Sequence, residues 1–277
     1  MKIKSNFNYL IIFLFFSFFL LGSIIFKDYS VTPDEPLHRI NGFISLKYIL
    51  NLFFTNLSNN NLLQDIPDLY NDWRRTYGSI FDLPFAYIEF VSEIDIQNIF
   101  LLKHYTLFVI YFLSTFYFFL LLKKNLKNDK IALIGVLILV STPRIFSHSF
   151  YNSKDILFLS FMIIAVYYSV ELLKKYSFKN LFISCILCAF ASNIRIIGIY
   201  LPVLTFIFYF FIDEKIKAKT NIKFFFIYFS LFFVILYSIW PFLWLNPIEN
   251  FLTILKESAS YPNHWEFKTL YLGNYLN

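Results

Sequence analysis

Between Lys4 and Lys27 the chain carries no charged side chain. A bilayer-crossing helix needs ~20 apolar residues, within a range of about 17–25, so residues 7–26 meet the length of a membrane span. No small-x-small cleavage site follows, which reads as a retained anchor and not a signal peptide. Further apolar segments cover 99–122, 131–143, 156–173, 180–212 and 224–245. As one helix, 180–212 would be ~50 Å long against a ~30 Å hydrocarbon core; as a hairpin, each arm reaches ~24 Å. It therefore divides into spans 180–193 and 196–212 about Ser192-Asn193-Ile194-Arg195, which makes seven spans. Residues 131–142 reach only ~18 Å, so both outward tips are expected to be recessed. The last span ends in Trp240, Pro241 and Trp244, the pattern of an interfacial aromatic belt.

Composition agrees, with 58% hydrophobic and 15% charged residues, where a soluble domain has about 25% charged. The net charge of +6 does not form the basic stripe of a nucleic-acid binder. Its lysines lie in short clusters: Lys2 and Lys4, KKNLKNDK after the second span, KKYSFK after the fourth, and DEKIKAKTNIK before the last. By the positive-inside rule these are cytoplasmic. Segment 28–98, with ten acidic and four basic residues, belongs outside. Cys185 and Cys188 sit in the apolar run ISCILCAF; without an accessible thiolate they read as small packing residues, not a redox or zinc pair.

The outer segment carries helical signals. Thr32-Pro33-Asp34-Glu35 has the form of a capping box with proline at the first helical position. Leu37, Ile40, Phe43, Ile44 and Tyr48 follow at helical spacing, which predicts an amphipathic helix lying on the membrane. Asp34 and His38 share a face, and Glu35 stacks over Arg39. A second such helix is expected from Pro84 through Ile88 and Val91. Carboxylates in a first turn are also favoured by the helix dipole, so the pair has a purely structural reading beside a catalytic one. Arg144, Lys154 and Asp155 likewise read either as site residues or as snorkelling interfacial charges. Arg195 is harder to explain structurally, because an intramembrane arginine needs a partner. No acid lies within 180–212, which leaves Asp155 or an anionic ligand such as a lipid phosphate. His104, His148 and His264 are isolated and read as structural; His38 and His148 are too few for a metal site.

TPDEPLHRINGFI after the first span, TPRIFSHSFYNSKDI between the third and fourth, the lone arginine of SNIRIIGIYLP and the ending HWEFKTLYLGNY together resemble a known family. They are similar to the polyprenyl-phosphate-dependent glycosyltransferases of the GT-C superfamily, the protein O-mannosyltransferase and aminoarabinose-transferase group in particular. The resemblance implies an all-α polytopic membrane protein, a GT-C-like bundle forming one domain over 1–277. Its N-terminus is then cytoplasmic and its active site lies under the first outer loop, facing the periplasm of a bacterial inner membrane. It also implies a sugar moved from a lipid-linked donor to a protein, lipid or glycan acceptor, with Asp34 acting on the acceptor and Glu35 beside it. His38, Arg144, Asn152, Lys154, Asp155 and Arg195 are the expected substrate-binding residues. No metal is carried over, since no His- or Asp-rich signature is visible. Such enzymes usually continue through further spans and an outer domain, so the chain reads as a C-terminally truncated member. The residue types suit the chemistry, which needs a base for the acceptor and cations for the departing phosphate. A transporter or flippase with Arg195 and Asp155 lining its path is the alternative; scarce glycine and dissimilar halves weigh against it. A non-catalytic membrane partner or transferase fragment is the third reading.

Overall fold

The computed structural model describes residues 2–54, 56, 61–92, 94–175, 177–211, 223–260, 269–271 and 274–276. Most of the Asn-rich turn at 58–61, the basic loop 213–222 and His264 with its neighbours lie outside these residues. The described chain is helical apart from its connections and a short antiparallel ribbon, β1 (Thr269–Tyr271) paired with β2 (Asn274–Leu276).

Helix α1 (Lys2–Ile25) runs antiparallel to α4 (Ile96–Leu126). Phe15 meets Phe112, Phe116 and Phe119 edge-on, while further along Phe26 meets Tyr105. Gly22 permits the approach, because a Cβ there would run into the Phe108 ring. Such close packing matters in lipid, where the hydrophobic effect does not draw helices together. The chain then turns at Lys127, in left-handed conformation with φ 52°, into α5 (Asp129–Ser141). Asn128 caps this helix, its Oδ1 accepting from the Lys130 and Ile131 amides at 3.0 and 3.2 Å. Extended Thr142 and Pro143 break the path, and α6 (Pro143–Tyr151) leaves at 66° to α5.

Helix α7 (Asp155–Lys174) lies parallel to α4. Ile156 and Leu157 share a cluster with Ile99 and Leu107 at one end, and Glu171 accepts from Lys124 at 2.8 Å at the other. Helix α8 (Phe178–Ile194) returns beside it, with Ser184 2.9 Å from Ser169. After the 3-10 turn Ile196–Ile199 come α9 (Tyr200–Tyr209) and α10 (Lys223–Ser238), which are antiparallel: Phe206 packs on Phe229 and Tyr209 on Phe225. Cys185 and Cys188 are free, buried packing residues between α8 and Tyr228 of α10.

The apolar segments α1, α4, α5 with α6, α7, α8, α9 and α10 thus run alternately between two ends. One end gathers lysines, with Lys123 on Asp129 at 3.0 Å and Lys124 on Glu171. By length and composition three helices can cross a membrane, at Phe7–Asp28, Ile96–Leu126 and Asp155–Lys174, and a fourth if α5 and α6 form one bent span. Phe178–Ile194, Ile196–Tyr209 and Phe224–Ser238 are shorter apolar helices. The expected seven full spans are therefore three or four by length, with short helices beside them.

The outer segment folds into α2 (Asp34–Phe53) and α3 (Asp82–Ser92), with α11 (Pro247–Ala259) following the last apolar helix. A membrane-surface helix was the expectation for α2, but residues 41–46 are buried without interruption, so every face of that stretch is covered. The reason is that Leu63, Leu83 and Ala86 belong to chain that folds back over it, a contact that spacing within α2 does not encode. Helix α3 begins two residues before the expected Pro84 and passes through Ile88 and Val91.

Candidate active site

At the end of the bundle opposite the lysine loops, α2, α3, α4 and the turn before α7 bring their polar residues together. Glu35, in the first turn of α2, turns back so that its Oε2 accepts from the Thr32 amide at 2.7 Å and the Thr32 hydroxyl at 3.0 Å. This is only the return half of the expected capping box. The Thr32 hydroxyl donates to Glu35 instead of capping, and the helix begins at Asp34 with no side-chain cap from Pro33. The other Glu35 oxygen lies 2.7 Å from His104 Nε2, with both side chains buried. Glu35 therefore does not pair with Arg39. Arg39 forks onto Glu89 of α3, Nε to Oε2 at 2.8 Å and Nη2 to Oε1. A two-pronged, partly buried pair of this kind is stronger than an exposed i,i+4 contact, which contributes only about 0.2–0.5 kcal/mol.

Asp82 is the centre of the layer. Its Oδ1 accepts from Lys103 at 2.7 Å, and Lys154 reaches within 3.9 Å of its Oδ2 while donating to the Gly78 carbonyl at 3.1 Å. Burial alone would raise Asp82, but the Lys103 and Lys154 ammonium groups and His38 outweigh it and hold the carboxyl below its usual range. Burial, with the nearby Lys103 and Arg195 cations, lowers Lys154 against the pull of Asp82. His38 falls from its ordinary 6.5 to about 4, through burial and then Lys154 and Lys103, opposed by Asp82 and Glu35. It is neutral at physiological pH. Gly78 is the junction of these elements. It lies against Asn193, whose Oδ1 accepts from the Ile80 amide at 3.0 Å, and a Cβ at residue 78 would overlap the Asn193 carbonyl.

Above this layer the charges are exposed. Asp155 receives Arg195 Nη2 on Oδ1 and Asn152 Nδ2 on Oδ2, the latter at 3.0 Å. Asn152 Oδ1 accepts from the Asp155 amide at 2.8 Å, which caps α7, and Asn152 Nδ2 also donates to His148 Nδ1 at 2.9 Å. The Asp155 and Arg195 side chains remain 54% and 48% exposed, so an incoming anion has access to both. Asp34 and Arg144 are exposed, and among the described residues neither side chain forms a hydrogen bond or ion pair. Tyr29 stacks on Phe150 at 4.5 Å and lies against Tyr151, which sets the segment leading to Asp34 on the end of α6.

The structure joins Asn152, Asp155, Arg195 and His148 in one chain of contacts and turns Lys154 inward, towards Asp82 and the neighbourhood of His38. No side-chain hydrogen bond or ion pair among the described residues joins Asp34 or Arg144 to that chain. Asp82, Glu89, Lys103 and His104 were not among the expected site residues. Lys103 and His104 did carry a readable signal, since both fall within the apolar run 99–122, and ionisable groups there need partners as Arg195 does. Among the described residues no three His, Cys, Asp or Glu side chains are placed to hold a metal ion. A cavity of about 390 Å³ lined by Lys47, Tyr48, Asp68 and Tyr70 lies some ~20 Å along α2 from Asp34.

A family model described as dolichyl-phosphate-mannose-protein mannosyltransferase matches residues 95–242, more than half of the chain. The match runs from the start of α4 to just past α10. It takes in Arg144, Asn152, Lys154, Asp155 and Arg195, with Lys103 and His104, and leaves Asp34 and Glu35 outside. No curated protein and no solved structure was found to match the chain. With its apolar helices and this match over most of the bundle, the chain belongs to the dolichyl-phosphate-mannose-protein mannosyltransferase family and is an integral membrane glycosyltransferase of the GT-C type.

Proposed function

We propose that the protein transfers a sugar from a polyprenyl-phosphate donor to a hydroxyl-bearing acceptor on the non-cytoplasmic side of a bacterial inner membrane. The observation that carries this reading is the contrast at the start of α2: Glu35 is locked between Thr32 and His104, while Asp34 beside it is exposed and, among the described residues, unpaired. Asp34 takes the acceptor's proton as the acceptor oxygen attacks the anomeric carbon. The carbon–oxygen bond to the phosphate breaks, and the polyprenyl phosphate departs with the electron pair. Arg195 and Arg144 are the cations open to that phosphate, and the Arg195 guanidinium is suited to it by its paired donors. Lys154 and His38 act from below, as supports of the site. The alternating helices, with lysines gathered at one end, support an outer placement of 28–98 under the positive-inside rule.

Purified protein supplied with radiolabelled polyprenyl-phosphate sugars and a mixed acceptor extract tests the reaction. Asn caps a helix about as well as Asp, so Asp34→Asn should stay folded while transfer falls ~100-fold or more. Near-normal transfer by a well-folded Asp34→Asn protein would demote Asp34 to a helix-start residue. Orientation is tested separately: in intact cells an impermeant thiol reagent should modify a cysteine at Asp68 but not one at Asn128.

A second reading, a structural Arg195, is favoured by its bond to Asp155. It differs from the first in its forecast for Arg195→Lys, given below.

A further inference from the structure

We infer that His104 is a positioning residue for the transfer, acting through Glu35 to fix the direction in which Asp34 points. The inference rests on the proposed role of Asp34 as base. His104 and Glu35 lie on α4 and α2, and they meet at 2.7 Å with 1% and 3% of their side chains exposed. In the tautomer with its proton on Nε2, the ring donates to Glu35 Oε1. The second ring nitrogen, Nδ1, is buried without a partner. All of the ring's polar bonding in the described structure is thus directed at one Glu35 oxygen.

The other Glu35 oxygen holds the amide and hydroxyl of Thr32. Asp34 lies on the short stretch of backbone between these two anchors. Helix α4 thereby reaches Asp34 through two hydrogen-bonded steps: His104 aims the Glu35 carboxylate, and that carboxylate fixes Thr32 and the entry into α2. The Asp82–Lys103 and Arg39–Glu89 pairs also tie α2 and α3 to their surroundings, but neither passes through the Thr32–Glu35 segment. Among the described residues the Asp34 side chain has no partner of its own, and this clamp holds the backbone that carries it. A base displaced by about 1 Å loses on the order of 100-fold in rate.

The test compares His104→Leu, which removes the donor, with His104→Gln, whose amide can still donate from a similar position. Transfer from radiolabelled polyprenyl-phosphate mannose into a detergent extract of membranes is measured per mole of folded protein. Hydrogen exchange of the Thr32 amide is followed in the same samples without substrate. In His104→Leu we expect Thr32 exchange to rise about tenfold or more and kcat to fall ~100-fold, with donor KM little changed. His104→Gln should restore most of both. Unaltered Thr32 exchange in His104→Leu would overturn the inference, as would a transfer loss that only tracks lost folded protein. Asp34→Asn separates this failure from failure of the base reading. Full transfer by Asp34→Asn sinks the base, and abolished transfer there beside full kcat in His104→Leu sinks only the positioning role. Because the exchange arm needs no turnover, it decides whether His104 holds the segment for any donor.

Discussion

Asp34 and Glu35 are adjacent in the chain but belong to regions with different physics. Glu35, with Asp82, Glu89, Lys103 and His104, forms a buried layer in which each ionisable side chain has a named partner. Asp34, Arg144 and the Asp155–Arg195 pair form a rim that solvent reaches. A charge sealed from water must be paired, and its loss leaves the partner stranded. A charge on the rim is hydrated, contributes little to stability, and stays available to a ligand. The buried layer therefore ties the outer helices to the bundle, and the rim is where the proposed chemistry is placed.

The largest effect should come from breaking the buried layer. Asp82→Ala strands Lys103 and Lys154, and thermal unfolding in detergent should show a loss of about 3–5 kcal/mol. Replacing Asp82 and Lys103 together by Leu and Met should recover much of it. If Asp82→Ala leaves stability unchanged, the two regions are not distinct in the way described.

On the rim, Arg195→Lys should keep the fold while raising the apparent donor KM about tenfold, since a lysine cannot copy the guanidinium fork. Lost thermal stability with unchanged donor affinity would instead support the structural pairing with Asp155.

His38 lies beside the buried layer and should give a smaller, pH-limited effect. Its folded value of about 4 lies below its ordinary 6.5, so the unfolded chain takes up the proton first. Stability from this group is complete above 6.5 and is lost as the pH falls towards about 4. Unfolding midpoints measured across that window should decline less steeply in His38→Gln than in the parent. Equal slopes would mean that His38 is not held neutral by burial beside Lys154 and Lys103.

The smallest effect belongs to the lysine end. Lys124→Ala removes an exposed pair with Glu171 and should change stability by no more than about 0.5 kcal/mol, with transfer unaffected. A loss of transfer there would mean that the site extends beyond the rim.

Much of this was legible in the residues, and the gaps have definite causes. The apolar runs and lysine clusters foretold the alternating segments, because they reflect the demands of lipid and charge along the chain itself. Asp155 was a foreseen partner for Arg195, since no acid lies within 180–212. The expected pairing of Glu35 with Arg39 failed because helical spacing ranks only local neighbours, and His104 and Glu89 offer buried alternatives from other helices. The single apolar face expected of α2 was incomplete for a related reason: residues 41–46 are covered all round by chain that returns over them many residues later.

The sequence alone determined that this chain needs lipid as solvent, how its helices alternate, and which residue types are present for sugar transfer. Those features depend on hydropathy, charge and spacing within single segments. Only the tertiary structure decided that Glu35 is sealed while Asp34 is exposed, that Lys154 turns inward to Asp82, and that His104 reaches the start of α2. Each of these depends on which distant side chain satisfies a buried charge, and that choice is made by the packing of helices against one another.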